Sequence, residues 1–267
     1  MAHVDAQKAL TYVSDQSYHA DVIVFDRDAK QVGKITSGLD VPAGIFVDRH
    51  HNLWVADDGG QNVLEYARGG TSPIKALSDP NVYPNDVTIC ANGTVYVANY
   101  YGVSQISGNV VAYAKGSITP TRALSWPGQG IDEFITCDAS NNVFTTLFVG
   151  SAGTVVEYPH GKQSGAIQLP ITLNYPGGIK PDKAGNLLVV DSGLGTVTEY
   201  TEAGSPTGES MSTFYIDLAV ARSSDVVLGS YNTTAIAMHF PSGVLVQTYS
   251  GFGAADGVAF DPGQKGI

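Results

Sequence analysis

A sequence unit recurs along the chain every 39 to 48 residues, and this repeat restricts the possible folds more than any other feature. Each copy has an apolar run, a short polar turn and a second apolar run. The turn position is occupied by Asp48, Cys90, Asp138, Asp182, Ala221 and Asp261. A third segment with an aromatic residue before a turn then follows, at Phe25, Tyr66, Tyr113, Tyr158, Tyr200 and Phe240. With a more variable fourth segment, this pattern is typical of the blades of a β-propeller.

The repeat therefore predicts an all-β fold, namely a six-bladed β-propeller with four antiparallel strands per blade, as a single domain over residues 1–267. The sixth copy is divided between the termini, because 257–263 supplies a first strand and 10–15 a second one. We expect the C-terminal strand to complete the N-terminal blade, which closes the ring and hides the sheet edges. The predicted units are 41–78, 83–124, 131–169, 175–210, 215–250, and 255–267 together with 1–38.

The amino-acid composition supports an all-β fold and restricts the classes of binding partner. Charged residues make up only 15% of the chain, with 31 glycines and 13 prolines, which favours many turns over helical faces. The net charge of −11 disfavours nucleic acid and anionic membrane surfaces, and no apolar run approaches the length of a membrane span. We expect a monomer that binds a small-molecule ligand or substrate, without nucleic acid and without membrane insertion.

The two cysteines and the N-terminal residues are the sequence features that bear on the cellular compartment of the protein. Cys90 and Cys137 could form one bridge, but they lack metal-type spacing, and we predict two buried, reduced thiols. Residues 1–10 show no basic stretch followed by a long apolar region, so they do not indicate a signal peptide. If the natural protein begins further upstream, a secreted or periplasmic location is favoured.

Alignment of the repeats places three oxygen-bearing side chains on one ring at the channel mouth: Asn85, Glu133 and Asp256. Such a set suits Ca²⁺ or another divalent cation, and we take these residues as candidate metal ligands. Asp86 and Asp217 lie one residue further along and are candidate general bases. The alternative is ordinary turn and capping chemistry, since Asn and Asp before a strand often bind backbone N–H groups.

That capping role is the prediction for the aspartates that end the V-A-D and equivalent copies, Asp15, Asp57 and Asp191. The loops on the same face as the ring are rich in aromatic residues, which suit a sugar, a lactone or a flat organic ligand. The candidate ligand-binding residues are Tyr100, Tyr101, Trp126, Tyr175, Tyr215, Tyr231 and Phe252. The alternative is that aromatic residues wedge neighbouring blades, which is the prediction for Trp54. No G-x-S-x-G or H-E-x-x-H motif is present, and no histidine aligns with the ring.

The stretches VPAGIFVDRHHNLWVAD and YPGGIKPDKAGNLLVVD, each followed by an aromatic third segment, resemble the NHL-type six-bladed propellers. YPNDVTICANGTVYVAN and ADGVAFDP are similar to the gluconolactonase/regucalcin family. That second resemblance implies a divalent metal on the ring, with ligands from the first, third, fourth and fifth blades. Asp256, Asn85 and Glu133 match the first three of these, whereas Gly177 stands at the fourth ligand position and has no donor side chain. The repeats are also similar to those of the streptogramin-lyase propellers. That resemblance implies a histidine at the centre, but no histidine of this chain aligns with the ring.

Two functions follow as hypotheses. The chain binds a small organic ligand at the channel mouth, with a divalent metal as an additional expectation. The alternative is a metal-dependent lactonase or esterase, in which the metal polarises an ester carbonyl and Asp86 or Asp217 acts as base. RNA binding, as in some NHL proteins, needs a basic face and is disfavoured by the net charge. Whether the chain is an enzyme stays open at this point.

Overall fold

The structure is a computed structural model, and it describes residues 8–17, 19–79, 82–100, 108–221 and 225–263, without the side chains of Gln129 and Asp132. These residues form 23 strands and one short 3₁₀ turn, Pro159–Gly161. The first strands are β1 (Leu10–Asp15), β2 (Asp21–Asp26), β3 (Gln31–Ile35), β4 (Pro42–Val47), β5 (Leu53–Asp57), β6 (Asn62–Tyr66), β7 (Pro73–Ser78), β8 (Pro84–Ile89), β9 (Val95–Asn99), β10 (Asn109–Tyr113) and β11 (Arg122–Leu124). The others are β12 (Gln129–Cys137), β13 (Val143–Val149), β14 (Ala152–Tyr158), β15 (Ile167–Leu173), β16 (Pro176–Pro181), β17 (Leu187–Asp191), β18 (Thr196–Tyr200), β19 (Pro206–Ser212), β20 (Asp217–Val220), β21 (Asp225–Gly229), β22 (Asn232–His239) and β23 (Val244–Asp261).

The strands pair with their neighbours in sequence to form antiparallel sheets. Four sheets have four strands each: β4 to β7, β8 to β11, β12 to β15 and β16 to β19. The other strands form one seven-stranded sheet in the order β20-β21-β22-β23-β1-β2-β3. The predicted all-β fold and propeller-like sheets are confirmed. Six separate four-stranded sheets are not, because β23 continues without a break from its pairing with β22 to its pairing with β1.

The two ends of the chain are joined by β23. Its C-terminal half pairs with β1 in the register Leu10↔Asp261 and Tyr12↔Ala259. This confirms the predicted pairing of the C-terminal strand with the N-terminal one. The buried carboxylate of Asp261 holds the end of the strand in place, because it is ion-paired with Arg68 and lies 2.7 Å from Nδ1 of His51.

Six buried apolar clusters lie between successive groups of strands in the described part of the chain. Five of them join consecutive groups, from β1–β3 against β4–β6 through to β17–β19 against β20–β22. In the sixth, Val227 and Ala237 of β21 and β22 share a cluster with Val13 and Ile23 of β1 and β2. Trp54 is buried in the cluster between β5 and β9, as predicted for an inter-blade residue.

The aspartates at the ends of second strands bind backbone, as predicted. Oδ1 of Asp57 accepts hydrogen bonds from the N–H groups of Val41 (2.8 Å) and Asp40 (3.0 Å). Asp191 binds the loop before β16 in the same way, and Asp15 accepts from Gly253 and Ala254 at 2.8 Å each. Each aspartate therefore ties the end of a second strand to the segment that leads into the first strand of its own unit, which for Asp15 is part of β23.

The cysteine prediction is wrong: Cys90 and Cys137 form a disulfide. Cys90 follows β8 and Cys137 ends β12, so both lie at the same end of the inner strands of neighbouring sheets. Their Cα atoms are 5.4 Å apart, within the range that a disulfide requires. The linear separation of 47 residues hides this proximity, which appears only when the repeats are aligned and the sheets are packed side by side.

Breaking this bridge should lower the free energy of unfolding by about 2–4 kcal/mol, because it closes a long loop in the unfolded chain. We expect Cys90→Ala, Cys137→Ala and the double variant to lose similar amounts, since each removes the same bond. Denaturant titration with and without reductant measures the effect. Wild-type stability that ignores reductant and matches that of the double variant would contradict the bridge.

Candidate functional site

A cavity of about 520 Å³ lies at one end of the inner strands. Its aromatic wall is formed by Tyr100, Tyr175, Phe214, Tyr215 and Tyr231, and its polar floor includes Asp58, Asn85 and Glu133. The cavity thus combines flat apolar faces with a few polar groups, which is the usual composition of a small-molecule site.

Part of the cavity lining comes from one repeated position, the residue that follows the V-A-D segment or its equivalent in each copy of the repeat. Five of the six residues at this position line the cavity: Gln16, Asp58, Tyr100, Ser192 and Tyr231. The sixth, Phe148, packs edge-on against Tyr175 with ring centroids 5.3 Å apart. The sequence analysis identified Tyr100 and Tyr231 at this position but missed Asp58. It also missed Phe214, which lies between β19 and β20. Reading the same position across all the repeats would have found Asp58.

Two of the three predicted ring residues, Asn85 and Glu133, line the cavity, and the third, Asp256, is buried near Glu133. The side-chain NH₂ of Asn85 donates to the backbone carbonyl of Glu133. Asp256 is 3% exposed. Burial, together with the carboxyls of Asp217, Asp86, Glu133 and Asp58, raises the pKa of Asp256 well above its usual range. The ring is therefore a crowded acidic floor.

The same acidic groups also affect the pKa of the Tyr231 phenol, which lines the cavity. The carboxyl of Asp256 is the largest cause that raises the Tyr231 pKa, followed by burial and then Glu133. Asp58 lies at the edge, where burial and the neighbouring Asp57 raise its pKa to about 6. A negative charge on the floor thus acts directly on the aromatic wall.

The two candidate general bases lie below this floor and are fully buried. Asp86 accepts hydrogen bonds from the N–H groups of Val87 (2.8 Å) and Ile135 (3.0 Å), and its Oδ2 lies 3.2 Å from Nζ of Lys180. Asp217 accepts from the N–H of Val258 at 3.0 Å. Both carboxylates are thus engaged by the interior, and neither lines the cavity.

Lys180 is a buried charged residue below the cavity that the sequence analysis did not identify. Its ammonium is buried between inner strands, donates to Asp86 and to the carbonyl of Ile135, and is attracted by Asp217 as well. These carboxylates raise the pKa of Lys180 against the opposing effect of burial. Alignment of the repeats would have identified Lys180, because it is charged whereas the equivalent residues in the other copies are not: Phe46, Thr88, Thr136, Ala219 and Ala259.

Lys180 also lines a second cavity, of about 280 Å³, at the other end of the same strands. The Asp86–Lys180–Asp217 group, hereafter the channel plug, therefore lies between the two cavities. Glycines let the strands approach here: a Cβ at Gly44 would lie 2.5 Å from Oδ1 of Asp86, and one at Gly178 would lie 2.6 Å from Oδ1 of Asp217.

The predicted aromatic residues divide into three groups. Tyr100, Tyr175, Tyr215 and Tyr231 line the cavity. Trp126 packs against the buried cluster between β8–β11 and β12–β14, and Phe252 is 6% exposed and packs edge-on against Phe25 at 5.6 Å. Phe252 is thus a core residue of β23, and Trp126 is a partly buried residue at the margin of a core cluster. Tyr101 lies outside the described residues.

Within the described side chains, no three His, Cys, Asp or Glu residues are placed to hold a metal ion together. The amide of Asn85 is directed at a backbone carbonyl, and Gly177 supplies no donor. The assignment of Asn85, Glu133 and Asp256 as metal ligands therefore stays a prediction.

The raised pKa of Asp256 gives a pH prediction. A carboxyl whose pKa is higher in the folded than in the unfolded state binds more protons when folded, so its contribution to stability falls as pH rises from about 4. We expect Asp256→Asn to raise the melting temperature near pH 8 more than near pH 4. Asp28→Asn, an exposed site with the same charge change, is the control. An equal shift at both pH values would contradict the crowded floor.

Comparisons with known proteins agree with the fold. No family model matches the chain, and no curated protein sequence matches it. A chain in the crystal structure of a nidogen/laminin complex is similar at a TM-score of 0.75 and 14% identity, covering 94% of this chain and 98% of that one. A streptogramin B lyase gives 0.65 and 12% (93% and 85%), and a luciferin-regenerating enzyme gives 0.60 and 13% (80% and 77%). At these identities the likeness shows the β-propeller arrangement alone.

No helix in the described part of the chain has the length and apolar character needed to cross a membrane.

Proposed function

We propose that the chain is a propeller that binds a small organic ligand in the cavity at the mouth of its central channel. The observation that carries this proposal is the cavity itself, of about 520 Å³, with an aromatic wall over a polar floor. Tyr175 and Tyr231 are 41% and 54% exposed, so much of their surface is available to a ligand. Aromatic side chains exposed in a concave site supply large contact areas at low entropic cost.

We also propose that the seven-stranded sheet acts as two blades, which gives six in all. A cluster that joins β21 and β22 to β1 and β2 supports this, because strands of one flat sheet do not share a buried face-to-face core. The count of six inter-group clusters in the described residues is what a closed ring of six blades requires.

The alternative, a metal-dependent lactonase or esterase, is less well supported by the contacts. A general base must reach the substrate. Asp86 and Asp217 are fully buried in the channel plug, where backbone N–H groups and Lys180 engage them. Binding without catalysis uses the cavity as it stands.

The disulfide favours a secreted or periplasmic location for this function, since structural disulfides persist mainly in oxidising compartments. A ligand-binding propeller outside the cytoplasm is consistent with both the cavity and the disulfide.

Ligand-observed NMR with a mixed library of neutral, cationic and anionic aromatic fragments tests the binding function. We expect a set of hits on the wild type that are lost in Tyr231→Ala and in Tyr175→Ala. Ile74→Ala, at an exposed residue outside the cavity, is the control. Hits that persist unchanged in both tyrosine variants, or a library without hits, would contradict the proposal.

A further inference from the structure

The cavity is charged with one sign. Its described lining includes the carboxyls of Asp58 and Glu133 and no lysine, arginine or histidine. The overall charge of −11 adds to this field. A ligand that enters the cavity therefore meets a negative potential focused by apolar walls, and an anionic ligand would be repelled.

Asp256 is a buried acid near the cavity, and one of its two carboxyl oxygens lacks a hydrogen-bond partner among the described residues. Only 3% of the residue is exposed, and the oxygen without a partner is Oδ1. Asp256 follows Ala255, which pairs with Asn232, the residue after Tyr231, so its backbone lies beside the cavity wall. Its carboxyl is also the largest cause that raises the Tyr231 pKa. A buried acceptor without a partner is costly unless a donor or a cation reaches it.

The channel plug provides a comparison, because its two buried carboxyls are neutralised by a lysine of the chain itself. Asp86 and Asp217 lie one level deeper and share the ammonium of Lys180. Glu133 lines the cavity one level above, and the described cavity lining contains no lysine, arginine or histidine.

Resting on the ligand-binding function proposed above, we propose that the ligand is an organic cation, an amine or quaternary ammonium compound with an apolar body. Its charged group would lie over Glu133 and Asp256, and its body would lie between Tyr175, Tyr215 and Tyr231. Ammonium groups are attracted both by carboxylates and by aromatic faces.

An organic cation fits this site better than a metal ion does. Ca²⁺ requires six to eight oxygen ligands, whereas no three acidic, His or Cys side chains among the described residues are grouped for a metal. The volume of about 520 Å³ is that of a small organic molecule rather than of a single ion. The exposed aromatic faces would have no role in metal binding.

Three probes with the same phenyl ring and a short arm test the charge: 2-phenylethylamine, 2-phenylethanol and 3-phenylpropionate. Calorimetry near neutral pH should show that the amine binds about tenfold or more tightly than the alcohol, and that the carboxylate does not bind. Glu133→Gln and Asp256→Asn should each weaken amine binding about tenfold and leave alcohol binding unchanged. Glu209→Gln, on an exposed strand, is the matched control and should change neither.

The outcomes separate this inference from the binding function. Equal affinity for amine and alcohol, or library hits that are mainly neutral or anionic yet lost in Tyr231→Ala, would overturn the cation while the binding function stands. Displacement of the amine by millimolar Ca²⁺ with a matching rise in melting temperature would replace the organic cation with a metal. A library without hits at the cavity would refute the binding function itself. Melting curves of each variant show that it folds, and neutralising a crowded acid should not lower stability.

Discussion

A chain that ends at Ser250 should show no cooperative unfolding transition. The deletion removes the half of β23 that pairs with β1, from Ala255 to Asp261, and leaves β1 as an open edge. It also removes Phe252 and Val258 from the cluster that joins the two ends of the ring. The free strand edge then becomes a template for aggregation.

The control is a chain that ends at Gly263, which retains the whole of β23 and should melt like the full chain. Circular dichroism and light scattering during heating measure both effects. A chain ending at Ser250 that melts cooperatively near the wild-type temperature would show that β23 does not close the ring.

Lys180→Met should lower the free energy of unfolding by about 3–5 kcal/mol near neutral pH, the usual cost of removing one partner from a buried ion pair. The ammonium of Lys180 lies 3.2 Å from Oδ2 of Asp86, and without it two fully buried carboxyls face each other in the channel. The loss should grow as pH rises, because protonation at low pH can relieve the uncompensated charge.

Lys183→Met, at an exposed position three residues further on, is the control and should change stability little. Asp86→Asn in the Lys180→Met background should recover part of the loss, since it removes one of the two unpaired charges. Equal stability of Lys180→Met and the wild type across the pH range would show that the channel plug does not contribute to the fold.

The features that repeat in the sequence were the predictable ones. The period predicts the strand groups, the pairing of 10–15 with 257–261 follows from completing the sixth copy, and the capping role of Asp57 follows from its position. Each of these depends on local chemistry that recurs in every copy, so one sequence contains several independent examples of it.

The features that depend on packing between copies could not be predicted in this way. The Cys90–Cys137 bridge and the Lys180–Asp86 contact each join different sheets, and their residues are far apart in sequence. Phe252 carries the same aromatic signal as Tyr231, yet one lies in the core and the other on the cavity wall. Whether such an aromatic side chain packs in the core or lines the cavity depends on the neighbouring sheet, which its own repeat does not encode.

The most direct test of ligand binding at the channel mouth is NMR of the protein with ¹³C-labelled tyrosine rings, assigned through Tyr→Phe variants, during titration with a library hit. We predict that the resonances of Tyr175, Tyr215 and Tyr231 shift together with one dissociation constant, since all three line the cavity. The buried rings of Tyr66 and Tyr113 should not respond. Saturable shifts elsewhere on the protein, with those three tyrosines unchanged, would contradict the account.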